Sequence, residues 1–243
     1  MIKLFRKTRQ NLIMENKPIK SDSRTRNYFM YAFGEILLVV IGILIALSIN
    51  NWNQDRQNKI ILGIYTKQLI EEVDQNISKL NTVIDEESKL VIQLDTVIDL
   101  LAKKDFENNK MIRKAYALLS FEDFAPETVA FENLKLSGEF KLIQNINLRN
   151  AITSAYNTFE SVRLTQEVHY YNMKTRIADY FLENANYMNI QETMPSFGKD
   201  QVFSNLALAA RATLKQKIKS CESSLEKMEE LKLLLQEFKS DEL

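Results

Sequence analysis

YFMYAFGEILLVVIGILIALSI, residues 28–49, carries a single ionisable side chain, Glu35, in 22 positions. The hydrocarbon core of a bilayer is about 30 Å thick and takes about 20 helical residues at ~1.5 Å each. A surface helix of a soluble protein keeps one polar face. Ile36 to Ile49 instead offers only aliphatics, Gly42, Ala46 and Ser48. The stretch predicts a transmembrane helix at 28–49. Tyr28 and Tyr31 at its start and Trp52 just after it are the expected interface anchors, because amphipathic rings favour the headgroup layer.

The flanking charge sets the expected orientation. Lys3, Arg6, Lys7, Arg9, Lys17, Lys20, Arg24 and Arg26 stand upstream against Glu15 and Asp22, a net of +6. The remaining residues hold 24 basic and 30 acidic side chains, a net of −6, so the zero charge of the whole chain hides two opposite halves. Lys/Arg-rich flanks stay in the cytoplasm. Residues 1–27 are therefore expected to be a basic cytoplasmic leader and residues 50–243 an extracytoplasmic domain. A cleaved signal peptide, with Ala46-Leu47-Ser48 as a weak cleavage site, normally has an apolar stretch of only about 7–15 residues. An uncleaved anchor fits the length better. Met1, Ile2, Leu4, Phe5, Leu12 and Ile13 would let the leader lie on anionic lipid. A nucleic-acid partner is not expected, since no aromatics or fold present those charges.

Two stretches resemble a known family. GEILLVVIGILIALSINNWN, at Gly34 to Asn53, is similar to the hallmark of an uncharacterised family of single-span membrane proteins from Bacteroidota. FENLKLSGEFKLIQN, at Phe131 to Asn145, resembles that family's other recurrent block. The resemblance implies a location in a bacterial inner membrane, with the outer domain in the periplasm. It implies no activity and brings no catalytic residues with it.

The domain after the span reads as all-α. Five Gly and three Pro in 243 residues leave few breaks. Ile70, Val73, Ile77, Leu80, Ile84, Glu87, Val91, Leu94, Ile98 and Leu101 recur at heptad spacing, and nine of these ten are apolar, which argues for helix. Leu69, Val83, Leu90 and Val97 widen the stripe beyond a two-stranded coiled-coil seam. The first helix is expected to run from about 28 to 103, out of the span and into the domain. Shorter helices are expected at 109–121 and 127–137. Long ones are expected at 147–184, with a stutter near Gln166, and at 200–239. Pro126, Pro195 and Gly198 mark breaks. The expected architecture is an antiparallel bundle of about four helices.

Ser137-Gly138 reads as a structural turn. Gly just past a helix takes the left-handed conformation, and Asn145 or Asn147 can cap the next helix. Leu134, Phe140, Leu142 and Ile143 would pack the corner. Cys221, the lone cysteine, is expected to be a small buried hydrophobe, the other reading being an exposed thiol that cross-links two copies. His169, the lone histidine, is expected to be partly buried or at the surface. One His and one Cys do not make a di-iron or zinc set. The other carboxylates read as solvated helix faces. No metal, cofactor or enzymatic activity is expected.

The functional candidate lies in the span. At 100° per residue, Gly42 and Ala46 fall within about 20° of Glu35, and Asn53 falls in line with it. Small residues let helices approach closely and polar groups bond across the contact. An ionisable residue in a span is a functional hypothesis by default. Glu35, Gly42, Ala46 and Asn53 are therefore expected to mediate self-association or to dock a partner's membrane helix. Two classes of function follow. One is an envelope interaction or scaffold protein. The other is an extracytoplasmic ligand sensor that signals through a partner, which would normally need a return span and an output domain. Neither is expected before Leu243, so the first class is preferred.

Overall fold

The computed structural model describes residues 21–106, 109–186, 188 and 197–242, with side chains described at 28–106, 111–186, 188 and 197–240. The described residues contain helix and no strand. Helix α1 spans Ser21–Ala102 without a break. Helix α2, Asn109–Ala115, continues into a 3-10 turn at Tyr116–Leu119. An extended segment, residues 120–128, leads to α3, Val129–Leu136, and to a second 3-10 turn, Glu139–Leu142. Helix α4, Ile146–Asn172, passes through a π-helical turn at Met173–Ile177 into α5, Ala178–Asn184. Helix α6 is Gln201–Glu242. The leader at 1–20 and the break at Pro195 lie outside the described residues.

The chain divides into two units, Met1–Gln57 and Asn58–Leu243. In the first, residues 28–57 are exposed apart from half-buried Gly34. The second holds the core. It forms one cluster around Leu69, Leu80, Ile152, Val162, Met228 and Leu235, and another around Leu94, Met111, Phe181, Phe203 and Leu214. Asp74–Lys232, Glu87–Lys217 and Asp95–Arg211 ion pairs tie α1 to α6. Numbers fall on one helix as they rise on the other, so these segments run in opposite directions.

The buried face of α1 is rotated slightly from the heptad ridge. Leu69, Val73, Leu80, Val83, Leu94 and Val97 are buried, whereas Ile70, Ile77, Ile84 and Ile98 are half-buried at its edge. On α6, Phe203, Ala207, Ala210, Leu214, Lys217, Cys221, Ser224, Met228, Leu231 and Leu235 point inward. The stutter in the fourth predicted helix is taken up at Met173–Ile177, past the expected position at Gln166. Until that turn the seven-residue step from Ala155 and Val162 leads to His169. His169 is consequently buried, and Tyr170 is exposed beside Phe121.

The second predicted helix ends early. Regular helix stops at Ala115 and the 3-10 turn at Leu119, so Ser120 and Phe121 belong to the extended segment instead. Gly138 has φ +74°, and Asn145 Oδ1 accepts from Leu148 N at 3.1 Å. Ile143 is buried, with Phe140 and Leu142 packed beside it.

Candidate functional site

The face of α1 picked out by the sequence is open. Glu35, Gly42, Ala46 and Asn53 are all exposed, as are Tyr28, Tyr31 and Trp52. A Cβ at Gly42 would meet nothing within 4 Å. The four residues share one side of the helix by its periodicity. Among the described residues, α1 is the one helix long and apolar enough to cross a membrane, and none of its most apolar window is buried.

A second constellation, absent from the sequence reading, lies in the bundle. The extended segment 120–128 bonds to neighbouring helical main chain at its ends, Ser120 N to Ala117 O and Glu132 N to Thr128 O, and buried N–H and C=O groups between them must find other partners. Side chains supply them. Glu127 N donates to Asn76 Oδ1 and Asn76 Nδ2 donates to Glu127 O, both at 2.7 Å. Lys79 Nζ donates to Ala125 O at 2.8 Å. Phe124 N donates to Gln166 Oε1 at 2.9 Å, and Glu122 N to Glu87 Oε1 at 3.2 Å. Lys217 Nζ donates to Glu122 O. The segment is thus a strap held by α1, α4 and α6.

Glu72 caps α3 from outside. The N-cap residue Thr128 makes no side-chain bond to its own helix. Glu72 Oε2 accepts from Ala130 N at 2.6 Å, and Oε1 accepts from Phe131 N at 3.2 Å and from Tyr156 Oη at 2.5 Å. A carboxylate at a helix N-terminus satisfies orphan N–H groups and meets the positive end of the dipole. Burial and the Glu72 acceptor push the Tyr156 phenol pKa up.

Glu87 and Lys217 form the centre of this seam. Both side chains have 0% exposure, and Lys217 Nζ lies 2.6 Å from Glu87 Oε1. Burial raises the Glu87 pKa, while Lys217 and the Glu122 main chain pull it back. The ammonium also lies 4.4 Å from the centroid of the Phe121 ring, a cation–π contact. The other ring neighbour of Phe121 is His169, stacked with centroids 6.1 Å apart. Thr213 Oγ1 gives its proton to Ala210 O at 3.0 Å. It also lies 2.7 Å from His169 Nδ1, within hydrogen-bond distance. Glu87 Oε2 is buried with no hydrogen-bond partner among the described residues. Burial, then the Lys217 charge, lowers the His169 pKa to about 4, with the Ser120 main chain opposing.

The expectation of solvated acidic faces thus fails at Glu72 and Glu87, which are buried and bonded. Cys221 is buried beside this seam, and burial pushes its thiol up to about 11, so a reactive exposed thiol is ruled out in this fold. A shallow groove of about 300 Å³ flanks the π-helical turn, lined by Asn172, Arg176, Ile177, Val202, Leu206 and Ala209 among others. No group of His, Cys, Asp and Glu able to hold a metal ion occurs among the described residues. Chemically, the seam is committed to main-chain groups. It fixes a strap.

Residues 35–193, more than half of the chain, match the model of a family described as Family of unknown function (DUF6090). The chain belongs to this family. The DUF6090 match opens on Glu35 and takes in the exposed face, the strap and the corner at Ser137–Asn145. It ends before α6, which supplies Lys217 and Thr213. Comparison with curated proteins and with solved structures gave no match.

Proposed function

We propose that this DUF6090 chain is a membrane-anchored, non-enzymatic interaction or scaffold protein. In this reading residues 28–49 cross the inner membrane of a bacterium once, residues 1–27 face the cytoplasm, and residues 50–243 form a helical bundle displayed in the periplasm. The observation that carries it is the exposed apolar stretch of α1 with its single ionisable group, preceded by a leader of net charge +6. Aliphatic side chains left this open find their natural solvent in lipid. Resistance of the full chain to carbonate extraction, with reporters fused at Leu243 active only outside the cytoplasm, is the expected result. A cytoplasmic Leu243 would overturn the layout.

Glu35, Gly42, Ala46 and Asn53 are the proposed contact face for a second copy or for another membrane protein. Open space over Gly42 supports this, because a partner's backbone can approach there. In a membrane two-hybrid assay Glu35→Gln and Gly42→Ile should each weaken association. Unchanged signal in both would remove this part of the proposal.

A further inference from the structure

The end of the bundle unit nearest residue 58 carries aliphatic side chains that the described residues leave more than half exposed. Ile60 and Ile64, one turn apart on α1, are 55% and 54% exposed. Leu136, the last residue of α3, is 82% exposed, and Ile146, the first of α4, is 61% exposed. The register of the strap puts all four at one end. Its numbers rise as those of α1 fall, through Lys79–Ala125, Asn76–Glu127 and Glu72–Ala130. Leu136 lies further along the same descent. Helix α4 climbs back from Ile146 to Tyr156, which returns to Glu72. At ~1.5 Å per residue, Ile146 lies about 15 Å below Tyr156, at the height of α1 residues in the low sixties.

The chain itself limits where this end can be. Asn58 follows Ile49 by nine positions, and about nine residues reach at most about 30 Å even when fully extended. If residues 28–49 cross a bilayer, this end of the bundle cannot leave the neighbourhood of the headgroups, whatever the geometry of the joint. A cap of Leu and Ile held there has one abundant apolar surface within reach. Charge does not direct it elsewhere: Lys135 and Lys141 alternate with Glu132 and Glu139 around the corner.

We propose that Leu136 and Ile146, with Ile60 and Ile64, form a second membrane contact, an apolar cap that seats the end of the bundle in the bilayer interface. The corner at Ser137–Asn145 then holds Leu136 and Ile146, on either side of it, toward lipid as well as turning the chain. This rests on the proposed span.

The test uses the full chain in vesicles of phosphatidylethanolamine and phosphatidylglycerol containing phosphatidylcholine brominated high on its acyl chains. Trp52 is the one native tryptophan. Its quenching reports the span. In a Trp52→Phe background, Leu136→Trp and Ile146→Trp should each lose fluorescence to the brominated lipid, to an extent comparable with native Trp52. The same loss should persist at high salt. Leu182→Trp, at an exposed site of α5 near the opposite end, should keep its fluorescence. If Trp52 is quenched while Leu136→Trp and Ile146→Trp are not, the cap is wrong and the span stands. Equal quenching at Leu182→Trp would mean a bundle lying flat, which also overturns the cap. An unquenched Trp52 would remove the span and the cap with it.

Discussion

Lys217 and Glu87 meet 2.6 Å apart in the bundle core, each with no solvent-exposed side-chain surface, and between them they hold both main-chain groups of Glu122. The attraction between two such charges is largely offset by the cost of stripping their water. What the pair secures is the position of the strap.

Removing one partner strands the other. Lys217→Met should destabilise the folded bundle by about 3–5 kcal/mol, the usual cost of leaving a buried charge unpaired. Lys217→Met with Glu87→Leu should be less damaged than Lys217→Met alone, since the stranded carboxylate is gone. Urea unfolding of the full chain in detergent, followed by far-ultraviolet circular dichroism, measures both. A double variant no better than the single one would contradict the pairing.

Acid should weaken the bundle through His169. Its folded pKa of about 4 lies below the ordinary 6.5, so the unfolded chain takes up more protons between those values. Stability is then fully present above about pH 6.5 and is lost as pH falls toward 4. Glu87, with its pKa raised, acts in the opposite sense and stabilises the fold as it protonates. The His169 part is therefore read as the difference between wild type and His169→Asn. The wild-type curve should fall more steeply across this window.

Two turn positions predict effects of opposite sign. Gly138 sits at φ +74° with open space where a methyl would go, so Gly138→Ala meets only backbone strain, about 1–2 kcal/mol. Lys104 holds φ +56° just past α1, where Asp105 N bonds to Leu100 O and Lys104 N to Leu101 O. That is the helix-ending pattern that normally takes Gly. Lys104→Gly should raise the unfolding midpoint, and Gly138→Ala should lower it.

Cys221 should ignore a maleimide in the folded chain and react after urea unfolding, since burial both shields the thiol and raises its pKa to about 11. Rapid labelling of the native protein, read by mass spectrometry, would show that α6 does not pack as described.

Glu72 carries the last prediction. Glu72→Ala leaves the Ala130 and Phe131 N–H groups and the Tyr156 hydroxyl without their acceptor, at about 1–3 kcal/mol for each buried group. Tyr156→Phe removes one donor and should cost less. A smaller loss in Glu72→Ala than in Tyr156→Phe, by thermal melting, would argue against the cap.

Periodicity made the long helices legible, because a helix that buries one face must repeat near 3.6 residues, and local chemistry made Gly138 and Asn145 legible. Glu87 stood out in the heptad ridge as its one polar member. Its meaning was not readable there, because its partner lies 130 residues away on α6. Glu72 and Asn76 were hidden for the same reason: a carboxylate or amide between apolar residues looks alike whether it faces water or a distant N–H. The strap was misread as helix at Ser120 and Phe121, since its conformation is set by side chains of three other elements. On α1, Glu35, Gly42, Ala46 and Asn53 share their exposure with the rest of residues 28–57 apart from Gly34, so exposure does not single out that face.

The strap also orders events during synthesis. Glu87 has been made, and its helix can form, long before Lys217 leaves the ribosome, so the carboxylate must stay hydrated until the last helix arrives. Locking of the strap thus waits for nearly the whole chain, and contacts this distant in sequence form late. A chain interrupted before α6 would keep the bonds from Asn76, Lys79, Glu87 and Gln166 but lack the one from Lys217 to Glu122 O, leaving that carbonyl and the Glu87 carboxylate without their cation.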